Sequence, residues 1–379
     1  MGLLRFFLAL SVVIFHTGDF FGIKFVGGQV AVQGFYLISG FYMAMILNEK
    51  YPSGLKGYYL FLSNRFLKIF PIYWAVAIVT LLFCVGLMFA FPHAPNHLYL
   101  YSEYGTVLSA KSWLTIVFTN IALFGQDVLF FTNLNTSTGN LFFSDQLWQT
   151  TPHVFDFMMV PQAWSVSCEL MFYIIAPFTV RKPVFSFLIL GASFVLRYLF
   201  ISKGLSADPW SYRFLPFELQ FFFMGAIAYF LLSKIKNTSW FQNKTIGMSL
   251  MSAIILFTIF YGNMPDTLYV LPSKFLMFNN GFFIFTFKFW IYISLLFVAT
   301  PFIFYTTKSN KWDRFIGEFS YPIYIAHMLV IFIYEAFQWN DQTSTVRTIV
   351  VCLTTILIAH FLNRKILAPI ELIRQKRVK

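Results

Sequence analysis

Arg5 and His16 stand eleven residues apart inside a single apolar run, residues 3–21. Ionisable side chains are expensive in such a run, so each is a functional candidate by default. Eleven residues of α-helix make three turns plus about 20° and rise about 16 Å, which puts both side chains on one helix face. A guanidinium at the membrane entrance can grip an anionic group by charge-assisted hydrogen bonds. An imidazole deeper in titrates near neutral pH and can take a proton. The pair suits a ligand tethered at one end and reacting at the other.

Three more polar residues fall inside apolar runs: Ser39, Glu169 and His327. Counting inward from the basic end of each run at about 1.5 Å per residue, His16 and His327 lie roughly 20 Å deep, Glu169 roughly 18 Å and Ser39 roughly 15 Å. A buried carboxylate and two buried imidazoles need partners, and one another are the nearest supply. Glu169 is expected either to orient or activate a histidine or to hold neighbouring helices together. His327 reads as active-site support or as a packing histidine. Ser39, beside Gly40, reads as a small residue allowing close helix approach, with nucleophile as the minor alternative. Arg65 and Lys68 lead into the third apolar run and are either interface anchors or anion contacts. His93 and His97 are separated by the helix-breaking Pro95, so no metal pair is expected. Cys84, Cys168 and Cys352 carry no metal or disulfide spacing.

The elements that must position these residues are membrane spans. The chain has 379 residues, of which 58% are hydrophobic and only 11% charged, and a mean hydropathy of +0.70. A soluble domain carries roughly 25% charged residues. The net charge of +12 does not mark a nucleic-acid binder, because Lys and Arg punctuate apolar runs and form no patch of their own. Ten runs have span length: 3–21, 27–48, 66–91, 163–180, 183–202, 214–233, 246–262, 281–305, 316–338 and 346–363. An eleventh, 112–131, contains Asn120, Gln126 and Asp127. With the N-terminus in the cytoplasm and 112–131 not crossing, nineteen of the 27 Lys and Arg fall inside, a positive-inside pattern. The expectation is therefore an all-α, polytopic transmembrane bundle of about ten spans. It is read as one domain over residues 1–379, with both termini cytoplasmic, a basic tail from about 364 to 379, and no appended soluble domain. The first run lacks a basic leader and a small-residue cleavage site, so it reads as a retained span. The stretch 92–162 is the longest expected to stay outside the spans, and loops of such length usually carry function or disorder.

Five motifs, in order, resemble those of the acyltransferase-3 family, the polytopic bacterial O-acyltransferases that decorate surface carbohydrates. The first is Arg5…His16 itself. The second is Gly34-Phe35-Tyr36-Leu37-Ile38-Ser39-Gly40-Phe41, similar to a Phe-Phe-x-Leu-Ser-Gly-Phe signature. The third runs from Asn64 through Arg65, Lys68 and Pro71 to Tyr73 and resembles an Arg-x-x-Arg-x-x-Pro-x-Tyr motif. Trp164-Ser165-Val166-Ser167-Cys168-Glu169 with Phe172-Tyr173 is the fourth, and Gly317 to His327, with Ser320, Tyr321 and Tyr324, the fifth. Lys68 departs from the pattern by standing at the second arginine. Lysine keeps the charge but lacks the guanidinium fork that fits phosphate oxygens.

The resemblance implies transfer of an acyl group, acetyl in the simplest case, from cytoplasmic acyl-CoA to a carbohydrate or lipid-linked oligosaccharide hydroxyl at a bacterial cytoplasmic membrane. It implies His16 and Glu169 as catalytic, Arg5, Arg65 and Lys68 as donor-binding, and Ser39 and His327 as active-site support. No permanently bound cofactor and no metal are expected. Two other classes fit the buried charges: a transporter or flippase of a lipid-linked sugar, which would use them as a pathway, and a non-catalytic membrane scaffold.

Overall fold

The computed structural model describes residues 1–90, 96–265, 286–337 and 343–378. His93, Pro92, Pro95 and Lys274 lie outside the described residues, as do the extreme ends of the expected spans 66–91, 281–305 and 316–338. In lipid every backbone N–H and C=O must be satisfied within the segment, so long apolar runs become helices. The first three are α1 (Gly2–Thr17), α2 (Gly28–Glu49) and α3 (Leu55–Ala90). Two short helices follow, α4 (Tyr99–Tyr104) and α5 (Ala110–Ala122), and then a cap of 3-10 turns with one antiparallel hairpin, β1 (Thr132–Asn135) and β2 (Asn140–Phe143). The chain re-enters the bundle as α6 (Trp164–Thr179), α7 (Pro183–Ser202) and α8 (Leu215–Ile235). The short α9 (Ser239–Gln242) leads to α10 (Lys244–Phe260), α11 (Phe287–Thr307), α12 (Lys311–Glu318), α13 (Ser320–Ala336) and α14 (Ser344–Leu362). A π-helical turn, Asn363–Leu367, joins α14 to α15 (Ala368–Val378).

All ten expected spans correspond to helices, but not equally. Among the described residues eight helical stretches are long and apolar enough to cross a bilayer. The other two, α1 and α6, have 16 residues each. That is about 24 Å, short of a hydrocarbon core of about 30 Å. They are the helices that carry His16 and Glu169. α1 stops at Thr17 because Gly18 turns to φ +126°, so the expected run to residue 21 is cut short and His16 sits in the last helical turn. α3 departs the other way. It starts at Leu55 and runs for 36 residues, about 54 Å. Arg65 and Lys68 therefore lie well inside a helix and not at its end.

The segment 112–131 divides into the 13-residue α5, about 20 Å long, and a 3-10 turn, Gln126–Phe131. It is not among the stretches long enough to cross. Leu123, at φ +59°, ends the helix. Trp74 Nε1 and Tyr73 Oη of α3 donate to the carbonyls of Ile121 and Asn120 at 2.8 and 2.5 Å, pinning that end to the bundle.

α2 and α8 pack in direct backbone contact. A Cβ at Gly40 would lie 1.8 Å from the Phe222 carbonyl oxygen, and one at Gly225 would lie 1.9 Å from that of Leu37. Small residues on both helices let the backbones touch, as membrane helix pairs require in the absence of a hydrophobic drive. Gly40, not Ser39, is the contact residue, which turns Ser39 to a neighbouring face. α1 packs against α2, α10, α12, α13 and α14, so its two ionisable residues, Arg5 and His16, stand on a helix that the bundle surrounds.

Candidate active site

The N-terminal turn of α1 is fixed first. The carboxylate of Asp313 on α12 accepts the N–H groups of Gly2 and Leu3 at 2.8 and 2.9 Å. An acid at a helix N-terminus satisfies orphan donors and complements the helix dipole. This holds Arg5, one turn on, at the α12 end of the bundle. Arg65 and Lys68 of α3 come to the same end. So does Arg374 of α15, whose Nε donates to the Asn64 carbonyl at 2.9 Å and whose Nη1 pairs with Glu371. The charges of Arg65, Arg5 and Arg374 all act on Lys68, where the carboxylate of Glu371 opposes them. The stretch from about 364 is more than the basic tail expected of it. The chain instead bends through the π-turn and docks as a helix along α3.

Arg65 is the most unusual of these cations. It is 6% exposed, yet among the described residues its guanidinium makes no hydrogen bond and no ion pair, and its Nε is buried without a partner. Its protein contacts are the faces of Phe61 and Tyr173, at 5.7 and 5.9 Å from the ring centroids. Buried charges are normally paired. A groove of about 370 Å³ opens beside it between α3 and α6, with Phe66, Phe70, Leu170 and Ile174 on its apolar sides and Arg65 and Tyr173 on the polar one.

One helical turn deeper, Glu169 accepts a hydrogen bond from Tyr173 Oη at 2.5 Å and a second from Ser39 Oγ. Its partners are thus hydroxyls of α2 and α6. Of the two roles expected of it, joining neighbouring helices is what these bonds do, and no histidine is among its hydrogen-bond partners in the described residues. Ser39, read mainly as a spacer, is a ligand of the carboxylate.

The two histidines form a second cluster. The rings of His16 and His327 are 5.4 Å apart, inclined at 32°. His327 is fully buried, and its Nδ1 lies 2.7 Å from the Tyr324 carbonyl. A carbonyl can only accept, so Nδ1 carries hydrogen, and in the neutral ring the lone pair is on Nε2. That Nε2 is buried and has no protein partner among the described residues. His16, by contrast, has accessible surface. The four residues of similar expected depth therefore meet as two pairs, Ser39 with Glu169 and His16 with His327.

α13 connects the pairs. Tyr321, Tyr324 and His327 follow one i, i+3 ridge that rises about 9 Å. Tyr321 Oη donates to the Ile69 carbonyl of α3 at 2.8 Å, and Tyr324 Oη lies 2.5 Å from Ser165 Oγ. Both tyrosines are within electrostatic range of Glu169. In the sequence these tyrosines stand only as letters of a motif, and their three-residue spacing ahead of His327 is the available signal. Nothing in the sequence marked Arg374 or the unpaired state of Arg65. No group of metal-ligating side chains occurs among the described residues.

The molecule is thus a membrane-embedded helical bundle with a cationic cluster at one end in which Arg65 has no ion-pair partner among the described residues, a histidine pair toward the other end, and a tyrosine-lined ridge between. The acyltransferase domain family, acyltransferase-3, matches over residues 1–364, and the chain belongs to that family. It is an acyltransferase with transmembrane helices. No curated protein and no solved structure matches it.

Proposed function

We propose that the protein transfers an acyl group, acetyl in the simplest case, from cytoplasmic acyl-CoA to a hydroxyl of a cell-surface or lipid-linked carbohydrate at a bacterial cytoplasmic membrane. The observation that carries this reading is Arg65, a buried guanidinium without a counter-ion, beside Arg5, Lys68 and Arg374. A donor bearing several phosphates supplies the missing negative charge. The 370 Å³ groove at Arg65 gives the donor's pantetheine arm a place to lie. Arg5 and His16 are about 16 Å apart along α1, so a donor held by phosphate at one end presents its thioester near the other.

His16 is accessible, and His327 offers a bare Nε2 within the same space. In the proposed step the acceptor hydroxyl oxygen attacks the thioester carbonyl carbon while His16 takes the hydroxyl proton. The tetrahedral intermediate collapses, the C–S bond breaks, and the proton passes from the imidazolium to the departing thiolate. The products are an ester and the free CoA thiol. General-base catalysis of this kind contributes typically a factor of 10²–10⁴. Glu169, held by Ser39 and Tyr173, is assigned the role of positioning residue between the two clusters. Both chain ends are proposed to be cytoplasmic, which agrees with α15 and Arg5 meeting at Lys68.

The test is direct. Purified protein in nanodiscs is titrated with acetyl-CoA and with a free thiol form of CoA, and transfer to glycosides is followed with labelled acetyl. Saturable binding lost in Arg65→Ala supports the donor site. Absence of acetyl-CoA binding by the wild-type protein overturns the reading.

A further inference from the structure

The histidine end of the bundle carries a second arginine that the reaction above does not use. Arg213 lies in the segment between α7 and α8. Its Nε donates to both carboxylate oxygens of Asp208, at 3.0 and 3.1 Å. The guanidinium is stacked among rings, 3.8 Å from the centroid of Phe130, 4.6 Å from Trp164 and 5.4 Å from Tyr212. Asp208 holds only the Nε edge. The two Nη groups make no hydrogen bond to any described residue, and the side chain remains 17% accessible.

This residue is continuous with the histidine pair. Trp164 packs on Tyr212 with ring centres 4.8 Å apart, and the residue following Trp164, Ser165, shares a 2.5 Å hydrogen bond with Tyr324. The Tyr324 ring is 5.9 Å from that of His327. Arg213 is also the charged side chain whose field is felt at His16. The buried Phe130 stacks on Phe155, and Phe155 in turn meets Trp148 of the cap, which is 69% exposed.

The chemistry of such a site is specific. A guanidinium with both Nη groups free makes paired, charge-assisted hydrogen bonds to a carboxylate or phosphate. Rings that hold its plane fix the direction of the fork. Phe130 and Trp164 are themselves buried and serve to hold the guanidinium, while the half-buried Tyr212 and the exposed Trp148 are the rings left to meet the C–H face and hydroxyls of a sugar. We infer that Arg213, with Phe130, Trp164 and Tyr212, forms the acceptor subsite, and that the acceptor is a carbohydrate bearing an oxyanion close to the hydroxyl that is acylated. The inference rests on the acyl-transfer reading for what the subsite serves, but not for what it binds. The oxyanion is either the carboxylate of an acidic sugar or the phosphate of a glycosyl phosphate.

Binding measured without donor separates the two claims. Purified protein in nanodiscs is titrated with methyl glucuronide, glucose 1-phosphate and methyl glucoside, for the wild type, Arg213→Gln and Arg213→Lys. At least one anionic sugar is expected to bind ten-fold or more tightly than the neutral glucoside. Which of the two does so identifies the oxyanion. Arg213→Gln is expected to lose that preference, and Arg213→Lys, which keeps the charge without the fork, to retain part of it. If Arg213→Gln fails to fold, a preference reduced in Arg213→Lys still supports the subsite, and an undiminished one counts against it. Equal binding of all three sugars, no binding of either anion, or a preference unchanged in Arg213→Gln overturns the inference. Acetyl-CoA titrated in parallel reports on the donor site alone. Loss of that binding in the wild type would overturn the acyl-transfer reading while leaving the anion subsite standing.

Discussion

The ring of His16, in the last turn of α1, faces the ring of His327 on α13 at 5.4 Å. His327 is oriented by its bond to the Tyr324 carbonyl, which leaves Nε2 bare and buried. Two imidazoles on different helices thus lie side by side. Only one of them, His16, is accessible. That division suits a reacting base and a buried partner that fixes its surroundings.

His327→Asn distinguishes the roles of the buried ring. Asparagine can still donate to the Tyr324 carbonyl from about the position of Nδ1, but it has no counterpart to Nε2. If Nε2 serves the reaction, His327→Asn loses activity as fully as His327→Ala, by about 10²-fold, with normal protein in the membrane. Recovery of wild-type turnover in His327→Asn alone would assign the ring to packing. The readout is labelled-acetyl transfer per mole of purified protein.

Arg65→Ala is expected to weaken acetyl-CoA binding by about 10- to 100-fold, since a hydrogen bond to a charged group contributes about 1.5–3 kcal/mol. The variant should fold at least as well as wild type, because it removes a buried charge that has no protein counter-ion. Lys68→Arg should bind the donor equally or more tightly. Calorimetric titration measures both. An Arg65→Ala protein with unchanged donor affinity would remove Arg65 from the donor site.

For Glu169, the hydrogen-bond pattern predicts a split. In Glu169→Gln the amide oxygen still accepts from Ser39 and Tyr173, so folding and most of the transfer rate should survive. Glu169→Leu strands both hydroxyls, at a cost of about 1–3 kcal/mol for each buried donor, and should lower the melting temperature in detergent. A 100-fold loss of kcat in well-folded Glu169→Gln would instead make the ionised carboxylate part of the chemistry.

The α2–α8 contact gives a prediction about stability. Gly40→Ala places a methyl 1.8 Å from the Phe222 carbonyl oxygen, and the helices must separate. The expected destabilisation is at the upper end of the usual overpacking range, about 3 kcal/mol. Gly86→Ala is the control. No heavy atom lies within 4 Å of its Cβ position, so it should be neutral or stabilising by about 0.5–1 kcal/mol. Thermal unfolding of the two purified variants decides the matter, and equal melting temperatures would contradict the contact.

The helical bundle was legible because lipid leaves an apolar run little choice but helix. The limits of α1 and α3 were not. Hydropathy does not distinguish Gly18 as a turn from Gly40 as a packing residue, and the amphipathic start at Leu55 lacks the continuous apolar run that marks a span. The similar depths of Ser39, Glu169, His16 and His327 followed from counting residues. Their sorting into two pairs depends on helix rotation, which the α2–α8 glycine contact and the α13 ridge set. Arg374 was out of reach for a related reason. Its approach to Lys68 is made by the π-turn at Asn363–Leu367, a backbone feature without a sequence signature here.

The most direct test of the account is acyl transfer by His16→Ala. Labelled acetyl-CoA and an accepting glycoside are supplied to wild-type and variant protein in nanodiscs, with acetyl-CoA binding measured on the same samples. The account predicts that His16→Ala binds donor normally and transfers at least about 10²-fold more slowly. Wild-type transfer by well-folded His16→Ala protein would contradict it.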